Sequence, residues 1–290
     1  MLQLTSTQKM YYTLRIAIAM CFIGHGAFGI ITKPIWCNYF AVAGIGHDLA
    51  YRLMPVVGSL DILLGILMLV YPLRIVPVWL VLWGILTASM RPLSGEPFAE
   101  FIERAGNFGA PLALLLLSGG IKNNIRNIFT PVSSNIEVDQ KQMKCVVICL
   151  RIIVFLLLAG HGWLNLIEKK ALLSQYASLG FSNPSDTAFA IGIFEILAAF
   201  AVLIRPVRPI LFVLFIWKTG SELFYPHYGI FEWIERGGSY GALLALWFAT
   251  EKTLYQSKLK NTNNFFKIKL FNGLSNKSTA ILRSAYSFFA

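Results

Sequence analysis

The chain is 290 residues long, 56% hydrophobic and only 13% charged, with a mean hydropathy of +0.63. Soluble domains average about 25% charged residues, so this composition excludes an ordinary soluble catalytic domain and points to an integral membrane protein in a lipid bilayer. The net charge of +11 follows membrane topology, and anionic lipid headgroups account for it, so no nucleic-acid partner is expected.

Apolar segments of roughly membrane length fall near residues 11 to 32, 54 to 71, 75 to 90, 105 to 120, 145 to 167, 187 to 204, 209 to 224 and 237 to 250. They predict an all-α polytopic membrane protein with eight transmembrane helices. The first carries Arg15 within its apolar run and lacks a small-residue cleavage site, so it reads as a retained helix and not a signal peptide. Arg15, and Arg151 in the fifth helix, are expected to snorkel to the inner headgroups. The aromatic stretch from Lys33 to Arg52 is too polar to span and is predicted at the outer surface, with Trp36, Tyr39 and Tyr51 at headgroup level. The second helix returns through Asp61 and stops at Pro72, and the third climbs through Trp79 and Trp83 to Arg91 and Pro92. The fourth descends from Gly106. Ala105 and Gly109, like Gly237 and Gly241 later, have the spacing that lets helix backbones approach closely.

After a polar linker the pattern begins again. LRIAIAMCFIGHG (Leu14 to Gly26) recurs as LRIIVFLLLAGHG (Leu150 to Gly162), at an offset of 136. GSLDILLGILMLVYPLR (Gly58 to Arg74) recurs as GIFEILAAFAVLIRPVR (Gly192 to Arg208) at 134, and FIERAGNFGA (Phe101 to Ala110) as WIERGGSYGA (Trp233 to Ala242) at 132. This slow drift is the mark of a duplicated unit with small loop insertions or deletions. The organisation predicted is a first four-helix repeat over 11 to 120, a linker over 121 to 144, a second repeat over 145 to 250 and a basic tail over 251 to 290. An even number of spans per unit makes these parallel repeats, related by a pseudo-twofold along the membrane normal. With the N terminus inside, fifteen basic residues fall on the inner side and seven on the outer. Both termini and the linker are therefore expected in the cytoplasm. Of the four cysteines, Cys145 and Cys149 are too far apart on one helix for a relaxed disulfide, and all read as apolar packing residues.

An ionisable group at the bilayer centre costs about 2.5 to 3.5 kcal/mol, so each needs a partner or a purpose. Helix rise puts His161, Glu195, Lys218 and Glu222 at similar depth, with Glu235 and Arg236 at the outer mouth. These six form the candidate pocket, opening outward in the second repeat. The first repeat has the counterparts His25, Asp61, Glu103 and Arg104, but Gly84 and Ala88 stand where the second has Lys218 and Glu222. Its corresponding space is expected to be plainer. A structural reading stands beside this one: a tight helix crossing at Gly-His-Gly, a self-neutralising Lys218 and Glu222 pair, and a surface pair at Glu235 and Arg236. No phosphate loop, nucleophile elbow, HExxH or cysteine metal spacing is present, so no metal is predicted.

Arg15 with His25-Gly26, Arg151 with His161-Gly162, and the acidic Asp61 and Glu195 in the following helix resemble the DoxX family. The resemblance extends over residues 11 to 120 and 145 to 250. It departs from the family where Gly29-Ile30 and Asn165 stand in place of the Lys that often follows His-Gly. It implies a four-helix unit in a bacterial inner membrane and a redox- or quinone-linked accessory role, with a quinone as the cofactor class and a redox protein as partner. A small-solute or proton pathway and a structural or chaperone-type module remain as alternatives, and the residues do not decide whether the protein is an enzyme.

Overall fold

The computed structural model describes residues 4–120, 125–135, 137–224 and 230–251, and the basic tail beyond 251 lies outside them. Among the described residues the fold is helical, with a single isolated bridge between Leu73 and Pro131 and no strand. In chain order the helices are α1 (Ser6–Ile30), α2 (Trp36–Val42), α3 (His47–Val70), α4 (Ile75–Leu93), α5 (Ala99–Glu103) and α6 (Ala105–Leu117). A short 3-10 turn (Ile125–Phe129) precedes α7 (Gln140–Leu166), α8 (Lys170–Ser178), α9 (Pro184–Ile204), α10 (Arg208–Leu223) and α11 (Ile230–Glu235). A last helical run, α12, covers 237–251.

Five of these, α1, α3, α4, α7 and α9, are long and apolar enough to cross a membrane, and α6 is a shorter apolar helix. Their outward faces carry large exposed side chains such as Leu63, Leu82 and Leu197, so the apolar surface is not confined to the core. In water such a coat would aggregate, whereas in lipid it is the solvated face. The residues up to Ala249 form one compact unit. Its core gathers Met10, Leu14 and Ile18 of α1, Leu150 and Leu157 of α7, Leu114 of α6 and Leu243 and Leu246 of α12 around a single centre.

Backbone approach decides the helix pairing. α1 packs most extensively on α3, and α7 on α9. A Cβ on Gly162 would lie 2.9 Å from the Gly192 carbonyl oxygen, and one on Gly26 would lie 2.5 Å from that of Gly58. The other glycine of each Gly-His-Gly points elsewhere, because residues two apart lie on nearly opposite helix faces. A Cβ on Gly24 would strike the backbone of Glu235, and one on Gly160 the backbone of Glu103. The sequence therefore brings α11 onto α1 and α5 onto α7, each across the two halves of the chain.

Arg15 is held at the C-terminal end of α3. Its Nε donates to the Met68 carbonyl at 2.9 Å and its guanidinium also reaches the Leu69 carbonyl at 2.5 Å. Arg151 does the same at the carbonyls of Leu203 and Ile204. The last carbonyls of a helix lack intrahelical partners and carry the negative end of its dipole, so a cation aimed there caps α3 and α9. Arg74 and Gln142 close α6 in the same way, through the carbonyls of Ser118 and Gly120 and of Leu116 and Leu117 respectively.

Candidate functional site

The ionisable residues gather into two clusters, one around each Gly-His-Gly. In the second, His161 Nδ1 lies 2.5 Å from Glu195 Oε2, and the indole of Trp217 donates to Glu195 Oε1 at 3.2 Å. Lys218 Nζ sits 3.0 Å from Glu222 Oε1 and 3.6 Å from Glu195 Oε1. Arg236 Nε lies 3.0 Å from the other oxygen of Glu222, and the same guanidinium pairs with Glu103. Glu195 and Lys218 are 0% and 1% exposed, so water screens neither. A buried charge is tolerated only when it is paired, and four helices supply oppositely charged partners here. Asn165 donates to the His161 carbonyl at 3.0 Å and accepts from the Tyr176 hydroxyl at 2.6 Å, closing the outer side of the His ring.

Glu103, His161 and Glu222 offer ligand atoms within 4.8 Å of one another, the spacing of a metal site. Lys218 and Arg236 already supply the positive charge a metal ion would bring to these carboxylates.

The first cluster is built on the same plan with shorter side chains. His25 Nδ1 lies 2.7 Å from Asp61 Oδ2, and the His ring packs against Trp36 at 4.7 Å, tilted by 33°. Trp36 is 7% exposed, so its ring packs within the protein. Arg104 pairs with Glu235 at 3.3 Å. Between them opens a cavity of about 330 Å³, with His25, Trp36, Tyr39, Trp83, Arg104 and Glu235 among the residues that wall it. At its rim, Arg91 holds Glu96 at 2.9 Å and Glu100 at 3.3 Å, and Tyr39 donates to Glu96 at 2.5 Å. Burial works against the charge of Glu96, but Arg91 and the Tyr39 hydroxyl outweigh it and hold this carboxyl below its ordinary range. Burial in turn pushes the Tyr39 phenol up, so the phenol remains a hydrogen-bond donor.

His161, Glu195, Lys218 and Glu222 thus come together as the spacing predicts, and Arg236 joins them. Glu235 does not. It lies in the His25 cluster, while Glu103, assigned by sequence to the first repeat, lies in the His161 cluster. The Glu-Arg pairs sit where α5 gives way to α6 and α11 to α12, so neighbouring side chains diverge into different clusters. The open space is also on the other side from the one expected. Ala88, read as a sign of plainness, lines the cavity of the first cluster, where its counterpart Glu222 fills the second with charge. The signal was in the sequence: small residues opposite a His leave room, and large charged ones occupy it.

Searches of protein-family models, of curated proteins and of solved structures returned no match for this chain.

Proposed function

We propose that this is an eight-span membrane protein of two parallel four-helix repeats, with both termini cytoplasmic, that binds a small amphipathic molecule in the His25 cavity. The span count is supported by treating each short helix as continuous with its neighbour: α5 with α6 covers 99–117 and α11 with α12 covers 230–251, about 28 and 33 Å of rise. A break at membrane depth is tolerable where it is buried in protein, as Glu103, Arg104 and Glu235 are.

The observation that carries the functional reading is the contrast between the twin clusters, one packed with neutralised charge and the other opening on aromatic walls. Ligand sites have this character, mostly apolar with a few convergent polar groups. Asp61 engages Nδ1 of His25, which leaves Nε2 as the ring atom for exchanging a proton with a bound molecule. A redox- or quinone-linked accessory role in a bacterial inner membrane, which the DoxX resemblance implies, suits a cavity of this size with Trp36 and Trp83 in its walls. A redox protein would then be the partner that exchanges electrons with the bound molecule. The His161 cluster, with its charges mutually paired, serves as the structural counterpart.

Titration of the purified protein with a short-chain, water-soluble quinone tests the reading. Tryptophan fluorescence should be quenched saturably in the wild type, and Ala88→Leu, which fills the cavity, should weaken binding at least tenfold, about 1.4 kcal/mol. Equal titrations for the two proteins would refute it.

A further inference from the structure

One side of the His25 cavity belongs to the outward surface of the helices. Leu86 of α4 lines the cavity, yet it is 48% exposed. Leu82, four residues earlier, is exposed as well, and side chains four apart share a helix face. Leu86 therefore stands on the apolar outward stripe and on the cavity wall at once. On α3, Val57 lines the same cavity, and its neighbours Val56 and Leu60 are exposed. Although only residues 71–74 join α3 to α4, the two helices touch sparingly, whereas α3 packs extensively on α1. The seam between α3 and α4 is a loose, apolar wall.

Depth decides what faces that seam. Val57 lies thirteen residues before the end of α3 and Leu86 eleven after the start of α4, about 20 and 17 Å of rise from the inner end. A hydrocarbon core of about 30 Å contains both, so in the eight-span topology the seam meets acyl chains and not water. The outer end differs. Tyr39 of α2 donates to Glu96, just past α4, and Arg91 holds the same carboxylate, which ties α2 to that end of α4. A solute arriving from water must part these bonds, while one arriving from the bilayer need only displace lipid chains from apolar side chains. The polar part of the wall lies on other elements: His25 on α1, and Arg104 and Glu235 at the ends of α5 and α11. We infer that the occupant is a membrane-borne molecule that enters sideways between α3 and α4, with its polar head toward His25 and an apolar chain left in the seam beside Val57 and Leu86. This rests on the reading of the cavity as the ligand site.

The test compares two probes with the same benzoquinone ring, one bare and one carrying a decyl chain that ends in a photoactivatable diazirine, on the full chain in lipid nanodiscs. Light-induced label should fall on α3 and α4, and bare quinone at saturating concentration should suppress it. In the double variant Val57→Phe with Leu86→Phe, where larger side chains narrow the seam, the chain-bearing probe should bind at least about fivefold more weakly, while the bare ring stays within about twofold of wild type. Suppressible label on α2 or on residues 94–98 would put the chain at the aqueous end, overturning sideways entry while leaving the cavity a ligand site. Label that the bare quinone does not suppress reports bulk lipid contact alone and overturns the inference. Equal weakening of both probes by the double variant overturns the assignment of the chain to this seam. Failure of the bare quinone to quench the wild-type tryptophans overturns the cavity reading itself.

Discussion

Lys218 is the residue on which the second cluster turns, because its ammonium lies within reach of both Glu195 and Glu222, and all three are buried. Removing one partner of a buried pair costs about 3 to 5 kcal/mol, since the remaining charge is neither solvated nor paired. Two features lower the toll here: Glu195 keeps His161 and Trp217, and Glu222 keeps Arg236. Lys218→Met should therefore destabilise by about 3 kcal/mol, and adding Glu222→Gln should recover part of it, read as thermal unfolding midpoints in detergent. A midpoint for Lys218→Met equal to wild type would contradict the network. The convergence of these side chains was legible in the sequence because helix rise fixes depth and because isolated charges there are too costly. The capping bonds of Arg15 were not, because the position of the α3 terminus beside it is set by helix packing and leaves no mark in the local sequence.

At the scale of the element, the C-terminal ends of α3 and α9 were legible, because Pro72 and Pro206 stop them near the points where their apolar runs give out, whereas α3 begins at His47, within the stretch read as lying at the surface. The short helices α5 and α11, which precede the fourth and eighth segments, were not legible, since a break stabilised by contacts from another helix leaves no local mark. Gly160 illustrates such a contact. A Cβ there meets the backbone of Glu103, which cannot yield as a flexible side chain would, whereas a Cβ on Gly220 of α10 meets nothing within 4 Å. Gly160→Ala should force α5 away from α7 and destabilise by about 1 to 3 kcal/mol, the range for overpacking. Gly220→Ala should be neutral or stabilising by up to about 1 kcal/mol, the gain in helix propensity. Thermal unfolding of the two variants in parallel checks this, and similar midpoints for both would mean that the α5 and α7 contact does not hold the fold.

For the whole molecule, the repeat specifies a unit but not which copy each unit touches, and this is why the sequence assigned both Glu-Arg pairs to their own halves. The contacts run across instead: Arg104 to Glu235, and Arg236 to Glu103. The halves are in this sense exchanged, and neither cluster is complete without a residue from the other. A charge swap distinguishes this arrangement from pairing within each half. Arg104→Glu places two carboxylates together beside the cavity, and Glu235→Arg places two guanidinium groups there, so each alone should destabilise by about 3 to 5 kcal/mol. The double variant restores opposite charges across the same gap and should recover at least half of the summed loss, a coupling that only groups in contact display. If Arg104 instead drew its stability from Glu103 in its own half, the double variant would be as unstable as the two single losses combined. Thermal unfolding of all four proteins in one detergent completes the cycle, and additive losses would exclude the cross-half pairing that joins the two clusters.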